Sequence, residues 1–502
     1  MRYRRVGASV VLVLLLGLIG SLAGPGWNPQ PLEETLVSHT EDTTIGSDVP
    51  TDPVGTYDVR SQVVDVAITD EVTVEATITE PVGAPDPRPG MVFMHGAGTA
   101  THENFADTTE QLASAGIVTM VPDKRADNYT TRDRDYVAMA EDYLASVDAL
   151  RSWPGVDPAR VGVYGESEGA MSAPVAAVLD PQVAFVVLVS APVLPIREQG
   201  AFAADNYLRD VGVPGRLLRA IPRLVGGSIP GGGFDYFDFD VRPYHRQLTQ
   251  PVLMVYGAAD SSMPIVQGAQ ALMEDMEAGG DPNYTIRYYE DGNHGIRDDD
   301  GTLVPAFPRD VARWTLGLPQ TASAPPTIAG AQPVQSFRAD PVDRPRWYAT
   351  GDMIVVVLLS GAGLLVAGSV VGVAVIVSRL RALVRSQERD GGSARMARLA
   401  AGLGMATLAT WIMFASYLMG VASLALNYEQ DAFLVQGGWI VVQATGVLAA
   451  VMVVLTVSAL HRAPKAASIR ERLGKGAAWT VLAGSVVLLL SAAYWGVYPT
   501  VL

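Results

Sequence analysis

Short apolar runs alternate with amphipathic segments between residues 58 and 318. Residues 63–68 and 72–78 alternate apolar with polar side chains and predict an antiparallel strand pair with a turn near Asp70. Further strands are predicted at the mostly apolar runs 91–94, 117–121, 161–164, 183–189, 252–256 and 284–289. Helices are predicted near 103–115, 135–152, 168–179, 264–278 and 306–317. Short buried strands separated by helices are typical of an α/β fold with a mostly parallel, doubly wound sheet.

Longer apolar stretches lie at both ends of the chain. Three arginines within residues 1–5 precede the apolar run 6–23, which ends in small residues. This layout predicts that residues 1–23 are a signal peptide, although a run of about 18 residues would also serve as an uncleaved signal anchor. After residue 350, four stretches are long enough to span a membrane and predict an all-α transmembrane region over 351–502. These stretches are 353–377, 399–426, 433–460 and 477–497.

The charges between the four apolar stretches predict their orientation. Residues 378–397 carry five arginines, and residues 461–476 carry three arginines and two lysines. Residues 427–432 instead carry Glu429 and Asp431. Basic loops are retained in the cytoplasm, so the segment that precedes residue 352 is predicted to lie outside it. The N-terminal apolar segment predicts the same side.

Three segments interrupt or flank the alternating pattern. Residues 24–57 are polar, acidic and rich in Pro and Gly, which indicates an extracytoplasmic tether before a domain at 58–318. Residues 319–350 are rich in Pro, Ala and Thr and indicate a linker. At about 192–248 the alternation stops, and amphipathic pieces, three glycines and four aromatic residues follow. We interpret this insertion as a lid, with a long surface excursion as the alternative.

Composition narrows the function classes. The formal net charge is −16, of which residues 1–5 contribute +3 and residues 351–502 contribute +5, so residues 6–350 carry −24. An acidic body of this kind repels phosphate and disfavours nucleic acid as a partner. The chain has no cysteine, which excludes disulfides, a thiolate nucleophile and cysteine-ligated zinc. Neither a cofactor nor a metal ion is predicted.

A Gly-Glu-Ser-Glu-Gly motif occupies residues 165–169, after an apolar run and before small residues suited to a helix. G-x-S-x-G in this context is typical of a nucleophile elbow, in which the serine stands on a sharp strand-to-helix turn. Glycines are needed because side chains there would collide with the neighbouring strand and helix. The first N–H groups of the helix would face a developing oxyanion. The motif alone also fits an ordinary Gly-rich turn.

A serine nucleophile needs a base, and six histidines are available. Five of them lie in less suitable segments: the tether (His39), the turn after 91–94 (His95, His102), the insertion (His245) and a cytoplasmic loop (His461). His294 follows the last predicted strand, where its loop would meet the edge of the sheet from which Ser167 emerges. Asp260 follows the run 252–256 and is preferred as the orienting acid, with Asp291 as a competing carboxylate. Backbone N–H groups of Ala97, in a His-Gly-Ala-Gly turn, and Glu168 are predicted to bind the oxyanion.

These features together resemble the α/β-hydrolase superfamily, especially its dienelactone-hydrolase-like and prolyl-oligopeptidase-like branches. The resemblance covers residues 60–317, about half of the chain, and is carried by 94–98, 156–169, 251–260 and 283–294. It implies Ser167, Asp260 and His294 as a triad, with Ala97 and Glu168 as oxyanion donors. It does not imply a substrate, because this architecture hosts esterases, thioesterases, lactonases and peptidases.

The favoured prediction is a membrane-tethered, extracytoplasmic serine hydrolase that cleaves ester-type acyl substrates through an acyl-enzyme. Its partners would be a small-molecule or lipid-like acyl substrate and the membrane. The alternatives are a serine peptidase of the prolyl-oligopeptidase-like type and a non-enzymatic membrane sensor or transport-associated protein. The four apolar stretches contain no Asp, Glu, Lys, Arg or His. Since ion and proton pathways normally use such residues, this favours an anchor over a transporter.

Overall fold

The chain folds into two compact units, one of residues 28–206 and 234–341 and the other of residues 1–27, 207–233 and 342–502. The computed structural model describes residues 2–23, 27–33, 35–211, 234–344, 346–383, 391–426, 429–463, 466 and 468–499. One predicted amphipathic piece of the insertion, at 217–225, and its three glycines, at 231–233, lie outside the described residues.

A nine-stranded sheet forms the centre of the first unit. Its strands are β1 (Asp58–Ala67), β2 (Thr73–Val82), β3 (Arg88–Met94), β4 (Val118–Pro122), β5 (Val156–Glu166), β6 (Val186–Val189), β7 (Val252–Gly257), β8 (Tyr284–Tyr289) and β9 (Ile328–Gly330). They are ordered β1-β2-β4-β3-β5-β6-β7-β8-β9. Strand β2 pairs antiparallel with β1 and β4, and the pairs from β4 to β9 are parallel. The predicted mostly parallel sheet is confirmed.

Helices cover both faces of the sheet, which explains why its central strands are apolar throughout. Every residue of β3, β4, β6, β7 and β8 is buried. Because side chains alternate along a strand, Val92 and Met94 enter one core, whereas Met91 and Phe93 enter the other. The helices of this unit are α2 (Ala106–Ser114), α3 (Tyr136–Arg151), α4 (Gly169–Leu179), α5 (Ile196–Asp210), α6 (Arg242–His245), α7 (Ile265–Gly279) and α8 (Ala306–Gly317). The last residues of α5 belong to the second unit.

Parts of the segments predicted as tether and linker pack onto the first unit, which their composition did not indicate. Ile45 is fully buried in the core on one face of the sheet. The backbone carbonyl of Thr43 accepts a hydrogen bond of 2.8 Å from the buried Arg287 guanidinium. In the segment predicted as a linker, residues Ile328–Gly330 form β9, which pairs with β8 and extends the sheet. The folded unit is therefore longer at both ends than the range 58–318, because a few buried residues and backbone hydrogen bonds dock polar segments.

The second unit consists mainly of long apolar helices. They are α1 (Arg2–Ala23), α9 (Gly351–Leu383), α10 (Gly391–Leu426), α11 (Gly438–Arg462) and α12 (Ile469–Tyr494). Within the described part of the chain, these five contain the segments long and apolar enough to cross a membrane. Helix α12 begins at Ile469, eight residues before the predicted stretch, and its first turn is capped by Ser468 and Glu471. In the core of this unit, Leu208 and Val211 of the insertion pack with Phe414 and Trp439.

Candidate active site

Ser167 lies on a strained turn between β5 and α4. Its φ of 54° falls in the left-handed region, which non-glycine residues rarely adopt, and its N–H donates to the carbonyl of Val189 at 2.9 Å. The turn also requires Gly169, because a methyl group there would overlap the carbonyl oxygen of Met94 at the end of β3. This close approach places the beginning of α4 beside the loop that follows β3.

His294 joins Ser167 to Asp260 through two hydrogen bonds. Its Nε2 lies 2.9 Å from Ser167 Oγ, and its Nδ1 lies 2.8 Å from a carboxylate oxygen of Asp260. Asp260 follows β7 and His294 follows β8, so parallel strands deliver all three side chains to one edge of the sheet. A methyl group at Gly257 would overlap the carbonyl oxygen of Gly292, which shows how closely these two loops pack. The competing carboxylate, Asp291, is exposed.

The pKa shifts of Asp260 and His294 suit a histidine base that is held by an ionised carboxylate. Burial alone would raise the pKa of Asp260, but the His294 ring and hydrogen bonds from His294 and Ser262 hold it below its ordinary value. Burial alone would lower the pKa of His294, but the Asp260 carboxylate outweighs it, and the pKa of the imidazole is raised. Asp260 is thus an ionised acceptor that orients the imidazole and favours its protonated form when Nε2 takes a proton.

The segments that contain the two predicted oxyanion donors both lie close to Ser167. Glu168 immediately follows the serine and is the N-cap residue of α4. Gly96 contacts the serine from the loop after β3, where a Cβ added to it would lie 3.4 Å from Ser167 Cβ. Ala97 is the next residue of that loop. Both backbone segments are therefore adjacent to Ser167, which is the position that oxyanion donors need.

Three polar residues of the site were missed at the sequence level. Ser262 donates to Asp260 at 2.7 Å, and Ser190, directly after β6, donates from Oγ to the His294 carbonyl at 2.7 Å. Glu166 accepts a hydrogen bond of 3.0 Å from Tyr164, and burial raises the pKa of its carboxyl group. Ser190 does carry a signal, since it is a polar residue at the carboxyl end of a buried strand. The other two carry none in their spacing.

Aromatic residues of the insertion pack beside the helix that follows Ser167. Tyr236 and Phe237 are buried in a cluster with Tyr129, Tyr136 and Met171, and Met171 belongs to α4. These aromatic residues of the insertion are therefore packed against α4 rather than extending freely into solvent.

One group of potential metal ligands lies in the described part of the chain. Ring and carboxylate atoms of Glu75, His102 and Asp123 lie within 4.8 Å of one another. His102 Nδ1 already forms a 2.8 Å hydrogen bond with Asp123, and Glu75 is exposed. None of these three residues belongs to the Ser167 site. The serine, histidine and aspartate of that site suit nucleophilic rather than metal-assisted chemistry.

The strand order and the positions of the site together identify the fold. The sheet has an antiparallel strand, β2, beside a run of parallel strands. Its serine elbow follows β5, the acid follows β7 and the histidine follows β8. The fold is that of the α/β-hydrolases. Within this α/β-hydrolase fold, chain order Ser-Asp-His and a second donor loop after β3 are the usual arrangement.

Comparisons with known proteins add relatives at a distance. No family model matches the chain. The thiohydrolase apmlB of Arthrinium phaeospermum is 30% identical over 158 residues, which cover 30% of this chain and 51% of that protein. The chain thus matches about half of that relative's length.

Two solved structures of similar topology cover about half of this chain. The dienelactone hydrolase from Anabaena variabilis is 18% identical, with 51% of this chain and 97% of that chain covered and a TM-score of 0.35. Dipeptidyl peptidase 4 from Porphyromonas gingivalis is 19% identical, with 52% and 35% covered and a TM-score of 0.37. The α/β-hydrolase assignment rests on the sheet order and the strand-end positions of the site, not on these likenesses.

Proposed function

We propose that the chain is a membrane-tethered serine hydrolase that cleaves ester-type acyl substrates. The observation that carries the proposal is the hydrogen-bonded line from Ser167 through His294 to Asp260, set on a strained turn at a helix start. Strain of this kind persists where the surrounding structure requires a particular side-chain position. A hydroxyl, a base and an orienting acid in this order are the parts that acyl transfer needs.

The reaction follows from the geometry. His294 Nε2 removes the proton of Ser167 as Oγ attacks the acyl carbonyl carbon, and the oxyanion is bound by the N–H groups of Ala97 and Glu168. The C–O bond to the leaving group breaks while His294 returns the proton to that oxygen, which leaves an acyl-serine. Water then repeats the sequence, giving up a proton to His294, and releases the acid and the free Ser167.

The substrate is an acyl ester or thioester rather than a peptide in this proposal. The distant relative apmlB is named a thiohydrolase, which supports acyl chemistry of this class. The aromatic cluster that contains Tyr236 and Phe237 supports an apolar acyl group, because such side chains form the walls of acyl pockets.

The hydrolase unit lies outside the cytoplasm in this proposal. The five candidate membrane helices among the described residues support the tethering. The basic segments 378–397 and 461–476, and the arginines at the start of α1, support the orientation, because such charges are retained in the cytoplasm.

The test uses full-length protein purified in detergent. Hydrolysis is measured on p-nitrophenyl esters of two to twelve carbons, on an acyl thioester and on aminoacyl p-nitroanilides, together with labelling by a fluorophosphonate. We expect turnover of the esters or the thioester and labelling that is lost in Ser167→Ala. Ser114→Ala is the matched control, since that hydroxyl contacts only α2 and the nearby backbone of Gly55. Turnover of the anilides alone would favour a peptidase, and activity in Ser167→Ala would refute the proposal.

A further inference from the structure

The side chain of Glu168 is buried although its backbone is at the site. It is 4% exposed, and its carboxylate accepts hydrogen bonds from Lys124 at 2.9 Å and Arg134 at 2.6 Å. The hydroxyls of Tyr129 and Tyr136 donate to it at 2.9 and 3.2 Å. Burial alone would raise the pKa of Glu168, but Lys124 and Arg134 hold it below the ordinary value, so the carboxylate is ionised. The triad mechanism makes no use of this side chain.

Two of these partners also hold the loop after β3. Lys124 Nζ donates to the carbonyl of Gly96 at 2.5 Å, and the Tyr129 hydroxyl accepts the N–H of Gly98 at 2.8 Å. A carboxylate can only accept, so the single Tyr129 proton points to Glu168 and leaves a lone pair for Gly98. Ala97, the proposed oxyanion donor, lies between these two anchored residues.

We propose that Lys124 and Tyr129, gathered by the Glu168 carboxylate, are positioning residues that hold the Ala97 donor at a set distance from the Glu168 donor. This inference rests on the proposed function and adds residues to the same site. Glu168 then serves twice, since its backbone N–H is one half of the oxyanion hole and its side chain secures the other half. We call Lys124, Tyr129 and the Glu168 side chain the oxyanion brace.

The loop needs such a brace because its backbone lies outside regular secondary structure. Gly98 has a φ of 101°, and residues 95–98 lie in no strand or helix. Its first residue is held separately, since the N–H of His95 donates to the buried Tyr143 hydroxyl at 3.0 Å. Without anchors at Gly96 and Gly98, the Ala97 N–H would sample orientations away from the oxyanion. Preorganised donors contribute most to stabilising that charge, so their loss should appear in kcat.

The charge of the brace acts in the same direction. Within this group, two cations, Lys124 and Arg134, face the single Glu168 carboxylate, so its negative charge is more than balanced. Positive charge held in a low-dielectric site favours the negative transition state over the neutral substrate.

The experiment compares Tyr129→Phe with Tyr289→Phe in full-length protein. Tyr289 is a buried tyrosine whose hydroxyl bonds Asp310 at 3.1 Å, so its variant also loses a buried hydrogen bond but leaves the loop untouched. Active sites are counted by the end point of fluorophosphonate labelling, and kcat and KM are measured per labelled site. We expect Tyr129→Phe to lower kcat by about tenfold to a hundredfold with little change in KM, because only a transition-state interaction is weakened.

A second measurement separates positioning from general destabilisation. A trifluoromethyl ketone forms a tetrahedral adduct with the serine and needs the oxyanion hole, so its Ki should rise by the same factor as kcat/KM falls. Tyr289→Phe should lower the thermal midpoint without moving Ki or kcat. If Tyr129→Phe yields no labelled sites, Lys124→Gln replaces it with the same expectations.

The outcomes distinguish the two proposals. Equal kinetics in Tyr129→Phe and Tyr289→Phe, within an active protein, would overturn the oxyanion brace and leave the proposed function intact. A rise in KM with constant kcat would overturn it as well. A wild-type protein without Ser167-dependent turnover would overturn both.

Discussion

The Nε2 atom of His294 lies 2.9 Å from the Oγ atom of Ser167, although 127 positions separate the two residues in the chain. Both residues follow parallel strands of one sheet, β5 and β8, with β6 and β7 between them. The contact therefore depends on the strand order and on loops that lean towards each other across two intervening strand ends.

Substitution of the hydrogen-bonded line should abolish turnover. Since the three groups act as a unit, Ser167→Ala and His294→Ala should each lower kcat by about 10⁶-fold. Asp260→Asn should cost less, on the order of 10⁴-fold, because the nucleophile and base remain but the imidazole loses its orienting charge. Kinetics on a p-nitrophenyl ester measure all three.

Asp291→Asn is the matched control for Asp260→Asn, because Asp291 is exposed and lies three residues from His294. It should retain nearly full activity. The double variant Ser167→Ala/Asp260→Asn should be little worse than Ser167→Ala alone. Abolished activity in Asp291→Asn, with Asp260→Asn active, would show that the acid is misassigned.

The pH profile should fall on its acid side above the ordinary histidine range. His294 accepts the proton of Ser167 only when neutral, so activity is present above its pKa and is lost as pH falls through it. Asp260 raises that pKa above 6.5, so the loss should begin at a higher pH than for a free imidazole. The dependence of kcat/KM on pH reports this group in the free enzyme.

Glu166→Gln should move this acid limb to lower pH. The Glu166 carboxylate contributes to the raised pKa of His294, and the amide carries no charge. The hydrogen bond from Tyr164 can still be accepted by the amide oxygen, so folding should be preserved. An acid limb that stays in place, or moves to higher pH, would argue against a charge interaction between the two residues.

Phe237→Ala should change the preference for acyl chain length. Phe237 is buried in the aromatic cluster that contains Met171 of α4, the helix that follows Ser167. Its removal would open apolar space there. Phe307→Ala is the control, because this phenylalanine is buried in a different core, beside Tyr289 and Trp314. Both should lower the thermal midpoint, but only Phe237→Ala should shift the ratio of kcat/KM between long and short esters. An unchanged ratio would reduce the insertion to a surface excursion.

Single cysteines can test the membrane orientation, since the natural chain contains none. Asp70→Cys and Gln430→Cys should react with a membrane-impermeant maleimide added to intact cells. Ser386→Cys, in the segment rich in arginine, should react only after the cells are opened, because positive loops are retained in the cytoplasm. Reaction of the cysteines at 70 and 386 from the same side would contradict the proposed topology.

Local pattern was sufficient for most of the fold. Apolar runs predicted every parallel strand except β9, and the predicted range 284–289 coincides with β8. These strands are buried on both faces, so the hydrophobic effect acts on each residue and leaves a direct trace in composition. The segment β9 is three residues long and follows a proline-rich stretch, and so left no such trace. The docking of residues 28–57 also escaped prediction, because it depends on backbone hydrogen bonds that any sequence can make.

The sequence by itself determined the α/β class, the long apolar helices, and Ser167 as the candidate nucleophile, because periodicity and the glycines around a sharp turn are local properties. Tertiary structure decided between the candidate partners. Only the strand order put Asp260 rather than the nearer Asp291 against His294 Nδ1, since carboxyl ends of neighbouring parallel strands meet whatever their separation in the chain. The side-chain contacts of Glu168 were likewise decided by tertiary structure, since its position in the motif indicated only a backbone donor. Its contacts with Lys124 and Tyr129 arise because the segment after β4 reaches a buried carboxylate that directly follows the turn after β5.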